Sequence, residues 1–155
     1  MIEIERKFLV SSDVYKQEAH KSTLIIQGFL NTDPERTVRI RIKGEEAYIT
    51  VKGKSNRSGT TRFEWEKNIT VEDAKQLITI CEKGVIKKNR YEIPFGDHVI
   101  EVDEFFEDNE GLIIAEIELK DENETFHKPD WLGNEVTGDP KYYNSQLSKH
   151  PFRNW

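Results

Sequence analysis

The chain has 155 residues, of which 34% are charged, 35% hydrophobic and 10% aromatic. That length suits one domain, the low hydrophobic share excludes a uniformly apolar interior, and the aromatics exclude a disordered polyelectrolyte. A surplus of acids, 29 Asp and Glu against 23 Lys and Arg for a net charge of −6, argues against a general nucleic-acid binder.

Alternation with a period of two dominates the chain from its start. Residues 2–10 set Ile2, Ile4, Phe8 and Val10 on one face and Glu3, Glu5 and Lys7 on the other, because successive strand side chains point to opposite faces. A short helix is expected over 12–20, and a less regular strand over 22–31. Residues 36–43 oppose Val38, Ile40 and Ile42 to Arg39 and Arg41, and Gly44-Glu45 suits a hairpin turn. Residues 46–52 oppose Ala47, Ile49 and Val51 to Tyr48, Thr50 and Lys52. Residues 61–69 oppose Phe63, Trp65 and Ile69 to Arg62, Glu64 and Glu66.

Thr70 then predicts a helix. It is a good N-cap, Glu72 and Asp73 favour the first turn, Ala74, Leu77, Ile78 and Cys81 form an apolar stripe, and Gly84 suits the far end. A strand over 85–93 carries Lys88 and Arg90. Another over 97–105 opposes Ile100 and Val102 to Glu101 and Asp103. The last, over 111–119, opposes Ile113, Ala115, Ile117 and Leu119 to Glu116 and Glu118. A short helix is expected over 121–127. A terminal helix is expected to be capped by Asp139, with Pro140 in its first turn and His150-Pro151 as its stop. About eight short-linked strands suggest a closed barrel or a sandwich. No apolar run approaches the roughly 18 residues of a membrane helix. The N-terminus lacks a signal-peptide layout, Cys81 is the only cysteine, and His20, His98, His127 and His150 show no ligand spacing and are expected at the surface. These features predict a cytoplasmic protein without membrane or disulfide chemistry.

The polar faces carry grouped charges: Glu3-x-Glu5-x-Lys7, Arg39-x-Arg41, Arg62-x-Glu64-x-Glu66, Lys88-x-Arg90, Glu101-x-Asp103 and Glu116-x-Glu118. Like charges two apart on one face repel, and a counter-ion or ligand offsets that cost. If these faces line a barrel, the lumen cannot stay dry and empty, since unpaired buried charge is very costly. Clustered carboxylates without His or Cys companions suit Mg²⁺ or Mn²⁺. Clustered Arg and Lys suit phosphate oxygens.

Glu3-Ile4-Glu5-Arg6-Lys7-Phe8 resembles the ExExK signature of the CYTH domain, or triphosphate tunnel metalloenzyme, family. Gln27-Gly28-Phe29-Leu30, Arg39-Ile40-Arg41, Thr50-Val51-Lys52, Glu64-Trp65-Glu66, Lys88-Asn89-Arg90-Tyr91, Val102-Asp103 and Ala115-Glu116-Ile117-Glu118 continue the resemblance in order. So does the tail, in Trp131-Leu132-Gly133, Glu135-Val136-Thr137 and Tyr142-Tyr143-Asn144. The resemblance covers 1–155 as a single domain and implies an α+β fold: a closed eight-stranded antiparallel β-barrel, a tunnel, with a few peripheral helices. It implies that Glu3, Glu5, Glu116 and Glu118 hold a divalent metal, Mg²⁺ or Mn²⁺, with Asp103 and Glu66 supporting it or a second ion. Lys7, Arg39, Arg41, Lys52, Lys88 and Arg90 would grip a triphosphate, and Lys7, Glu5, Glu66 and Asp103 would form the catalytic set.

The activity so implied is metal-dependent hydrolysis of a triphosphate-containing small molecule. A class IV-type adenylate cyclase and a non-catalytic polyphosphate or nucleotide sensor are the alternatives. One departure bears on the choice: Phe29 stands where the family carries a tyrosine, and it serves either packing or a changed substrate. The outer apolar faces exceed what short helices can cover, so a homodimer is expected. Gly53-Lys54-Ser55 resembles the end of a P-loop but lacks the first glycine and a following helix, and is read as a solvated loop. Tyr142, Tyr143 and Trp131 are expected to pack against the barrel, to close one of its mouths or to stack on a base.

Overall fold

The computed structural model describes residues 1–155. Nine strands follow the alternating segments: β1 (Ile2–Val10), β2 (Lys21–Asn31), β3 (Arg36–Lys43), β4 (Glu46–Gly53), β5 (Thr61–Ile69), β6 (Ile86–Phe95), β7 (His98–Phe105), β8 (Ile113–Glu118) and β9 (Leu132–Glu135). All pair antiparallel. Eight of them close into a barrel. Strands β2 to β5 form one meander and β6 to β8 another, joined along one seam by β2–β6 and along the other by β1, which sits between β8 and β5.

The β1–β5 seam is short, running from Ile2↔Phe63 to Ile4↔Thr61. Beyond it β9, a strand the alternation does not reveal, takes over the same edge of β1 at Phe8 and Val10. Where β5 and β9 part, the Gly59 and Gly138 loops meet backbone to backbone. A Cβ on Gly59 would lie 2.3 Å from the Gly138 Cα, and φ is +76° at Gly59 and +80° at Gly138, values that favour glycine.

The apolar faces point outward and are covered in part. The helix α1 (Tyr15–Glu18) and the 126–131 segment bury Phe8, Ile93, Ile100, Val102 and Ile117 beneath Tyr15 and Trp131. The Trp131 Nε1 donates to Glu18 at 3.0 Å. The helix α2 (Val71–Ile78) is capped by Thr70, whose hydroxyl accepts from the Asp73 N–H at 3.0 Å, and it seals Ile40 and Ala47 under Ala74. It ends at Ile78 rather than Cys81.

Three expectations are corrected. Residues 121–127 form a turn followed by irregular chain rather than a helix. The terminal helix is broken into a 3₁₀ turn over Pro140–Tyr142 and a short α3 (Asn144–Leu147), because Tyr143 is extended with ψ 135°. Finally, His98 is packed against Phe126 on the outer face of the barrel, its side chain only 13% exposed and 2.9 Å from Glu124.

Candidate functional site

Every charged side chain that alternation sets on the polar faces of the barrel strands, Asp103 excepted, lines one lumen of about 230 Å³. The inward column of each strand changes character at one level. Along β8 it reads Glu118, Glu116, Ile114; along β7, Glu101, Asp103, Phe105; along β6, Arg90, Lys88, Ile86; along β1, Glu5, Lys7, Leu9. The apolar ends of these columns meet Phe29, Leu112, Tyr142 and Leu147 in a cluster that floors the lumen. The barrel is therefore a cup, blind on the side where the C-terminal segment packs. Gly84 pins that segment: its φ is +92°, and a Cβ there would collide with the Ser148 carbonyl at 1.8 Å.

Phe29 is 6% exposed and belongs to this floor, so its packing role is met. Tyr142 and Trp131 also pack, whereas Tyr143 lines the lumen with Asn144 and Ser145. The loop bearing Ser55, Gly59 and Thr60 borders the wall beside Lys7. Lys43, Thr37, Asn144 and Ser145 join the lining beyond what the sequence pattern led us to expect. Lys43 continues the Arg39-x-Arg41 alternation, which could have revealed it; Asn144 and Ser145 lie outside any strand, where no periodicity points to them.

Pairing inside the lumen follows sign. Lys7 Nζ lies 3.3 Å from both Glu5 and Glu116. Lys52 Nζ reaches Glu3 at 2.8 Å and Glu64 at 3.2 Å, and Arg62 reaches Glu3 at 3.4 Å. Arg39 lies 3.5 Å from Glu66, which also accepts from the Thr50 hydroxyl at 2.8 Å. Burial opposes charge on Glu5, yet Lys7 and Lys52 outweigh it and bring its carboxyl down to about 2. For Lys7, burial is likewise outweighed, by Glu116 and Glu5, and its ammonium titrates higher than usual.

Asp103 differs from what was expected of it. It is fully buried inside the barrel, beneath the residues that line the lumen, accepting from Arg90 Nε and Nη2 and from Lys88 Nζ, all at 2.7 Å. With both oxygens so occupied it orients two cations rather than facing the lumen. Burial works against its charge, but Arg90 and Lys88 prevail and hold it at about 2. At Lys88, by contrast, burial together with Arg90 and Arg41 outweighs Asp103 and lowers the ammonium to about 7.

The acids nearer the mouth are less compensated. Glu118 is pushed up by burial and then by Glu3, Glu101, Glu64 and Glu5. Glu101 is pushed up by burial and by Glu116 and Asp103, against the pull of Arg90. In this state no three acids converge as a metal centre; Glu3, Glu5 and Glu116 are drawn to Lys52, Arg62 and Lys7. The chemistry nevertheless fits a hard divalent cation: the donors are carboxylate oxygens alone, and Glu118 carries repulsion that a cation would relieve.

Fold and lumen together define a closed antiparallel barrel with a blind interior of alternating acid and base. The CYTH domain family profile matches residues 1–150, and the chain belongs to that family. It is 51% identical over 154 residues to an inorganic triphosphatase of Acetivibrio thermocellus, covering 99% of this chain and 97% of the relative. An inorganic triphosphatase of Nitrosomonas europaea is 33% identical over 153 residues, covering 96% and 97%. The crystal structure of the inorganic triphosphatase NE1496 superposes with a TM-score of 0.66 at 31% identity, covering 94% of this chain and 93% of that one. No helix is long and apolar enough to cross a membrane.

Proposed function

We propose that this protein is a divalent-metal-dependent triphosphatase acting on inorganic triphosphate. The observation that carries the reading is the lumen itself: small, blind and lined by opposite charges, with Phe29 and Tyr143 as its only aromatics. At about 230 Å³ it falls below the roughly 300–1,000 Å³ of common organic-ligand pockets. The relatives with this barrel named as inorganic triphosphatases support the same substrate.

The deep cations Lys7, Arg39, Arg41, Lys52, Lys88 and Arg90 bind and align the phosphate chain. Arg90 is held rigid by Asp103 and so meets phosphate oxygens in a fixed plane. Lumen acids and bases are nearly balanced in number, so a polyanion cannot enter on the protein's cations alone without leaving charge uncompensated. Glu3, Glu5, Glu116 and Glu118 would hold the divalent ion. When bound, such an ion neutralises phosphate oxygens and makes a water a better nucleophile. The carboxylates of Glu66 and Glu5 orient a water for in-line attack, while Lys7 and the arginines stabilise the departing diphosphate.

The cyclase alternative needs a pocket for a base and a ribose, and a sensor would bind without turnover. Phosphate and cyclic nucleotide release, measured from inorganic triphosphate and ATP with Mg²⁺, Mn²⁺ or a chelator, separates these. We expect phosphate from triphosphate with metal, far less from ATP, and no cyclic AMP.

Two further assignments accompany the reading. A single unpaired cysteine suits the reducing cytoplasm. Ile2, Phe63 and Trp65, adjacent on the outer face and 64%, 44% and 36% exposed, suit burial against a second copy. Sedimentation giving a dimer supports the second assignment, and a monomer at micromolar concentration refutes it.

A further inference from the structure

We propose that Asn144, at the start of α3, presents its amide Nδ2 to the phosphate chain as a neutral hydrogen-bond donor while its Oδ1 clamps two walls of the lumen. The inference rests on the reading of the lumen as a phosphate-chain site and adds a residue from outside the charged strands.

The orientation of the amide follows from its neighbours. Arg41 can only donate, and its Nε lies 2.8 Å from Gln27, so Oε1 of Gln27 faces Arg41. The Gln27 amide is fully buried, and its Nε2 must therefore point the other way, where it meets Asn144 at 2.8 Å. Lys88 Nζ, also a donor, meets the same Asn144 atom at 3.0 Å. Two donors on one atom require it to be Oδ1. Asn and Gln amides are otherwise ambiguous in direction, but here a guanidinium at one end and an ammonium at the other fix both. Nδ2 is left without a protein partner, on a residue that lines the lumen.

The chain Arg41–Gln27–Asn144–Lys88 thus joins β3, β2, α3 and β6 through side chains. It holds two phosphate-binding cations apart and aims one uncharged N–H pair into the space between them. A carboxylate at this position would keep the clamp, and strengthen it at Lys88, but would turn a second acceptor oxygen toward an anionic ligand. Clamp and donor can therefore be separated by a near-isosteric change.

The test uses binding of inorganic triphosphate by calorimetry, turnover with Mg²⁺, and thermal unfolding without ligand. Asn144→Asp is expected to unfold at or above the midpoint of the unaltered protein, yet to raise Kd and KM for triphosphate at least tenfold, with kcat changed much less. Gln27→Glu keeps an acceptor for Arg41 but removes the donor to Asn144. A carboxylate oxygen then repels Oδ1 of Asn144 and displaces the amide from its place beside Lys88, and KM again rises, although Asn144 is intact. Unchanged Kd and KM in Asn144→Asp would overturn the inference. If Asn144→Asp does not fold, an unchanged Kd in Gln27→Glu overturns it. Binding without turnover by the unaltered protein counts against the triphosphatase reading alone, and the clamp is then judged on Kd. Absence of triphosphate binding by the unaltered protein overturns both.

Discussion

Asp103 and Arg90 form a bidentate pair inside the barrel, beneath the lumen lining, with Nε–Oδ1 and Nη2–Oδ2 both at 2.7 Å. The carboxylate is fully buried and the arginine 6% exposed. The lumen therefore has a supporting layer, and a residue that does not face the lumen determines how a cation inside it is aimed. Removing one member of a buried pair leaves the other uncompensated, at a cost of about 3–5 kcal/mol. Asp103→Asn is expected to lower stability by that order in denaturant unfolding and to lower triphosphate turnover more than tenfold. Stability and rate both close to those of the unaltered protein would remove Asp103 from this role.

Acid sensitivity follows from the same group. The Asp103 carboxyl is lowered from 3.8 to about 2 on folding, and Glu5 from 4.5 to about 2. A lowered carboxyl contributes stability above its unfolded value and loses it as pH falls toward the folded one. Each tenfold change in proton affinity between the two states is worth about 1.4 kcal/mol. Unfolding free energy should therefore drop by a few kcal/mol between roughly pH 4.5 and 2. The slope should be shallower in Asp103→Asn.

Lys88 has the opposite linkage. Its ammonium falls from 10.5 unfolded to about 7 in the folded chain. Between these values the unfolded state binds the extra proton, so this group makes the ligand-free protein more stable as pH rises from about 7 toward 10. Thermal midpoints of Lys88→Met and the unaltered protein across that range check the sign: the difference between them should change with pH in this direction.

Glu118 carries the least compensated charge at the lumen mouth, opposed by Glu3, Glu101, Glu64 and Glu5. Glu118→Gln is expected to raise the thermal midpoint of the metal-free protein, because it removes a repelled carboxylate. It should also abolish most metal-dependent turnover. Near-normal rates in that variant would take Glu118 out of the mechanism.

The floor makes a packing prediction. Leu147, 1% exposed, inserts among Phe29, Ile86, Phe105 and Ile114. Leu147→Ala should cost about 2–5 kcal/mol and loosen the blind end. Added sensitivity to proteolysis near the C-terminus would report that loosening.

Much of this site was legible because a strand writes its two faces alternately. Glu3-x-Glu5-x-Lys7 and Glu116-x-Glu118 name inward residues of the barrel without any coordinates. The blind end was written in the same alternation, since Lys88 is followed inward by Ile86 and Glu116 by Ile114. A reading that sorts only charged from apolar faces passes over a switch within one face. Asp103 could not be separated from its neighbours by spacing, because whether a carboxylate faces a lumen or the cation beside it depends on barrel curvature. Asn144 lies on a short helix, where no period marks it. The strand β9 is only four residues long and is held by its contact with β1 rather than by its own pattern.

In the proposed function the opposed charges of the lumen act together on a metal-bound phosphate chain. The most direct test of that function is the initial rate of phosphate release from inorganic triphosphate with Mg²⁺ and with excess chelator. Release should depend on Mg²⁺ and vanish on chelation. Equal release under both conditions, or none under either, would contradict it.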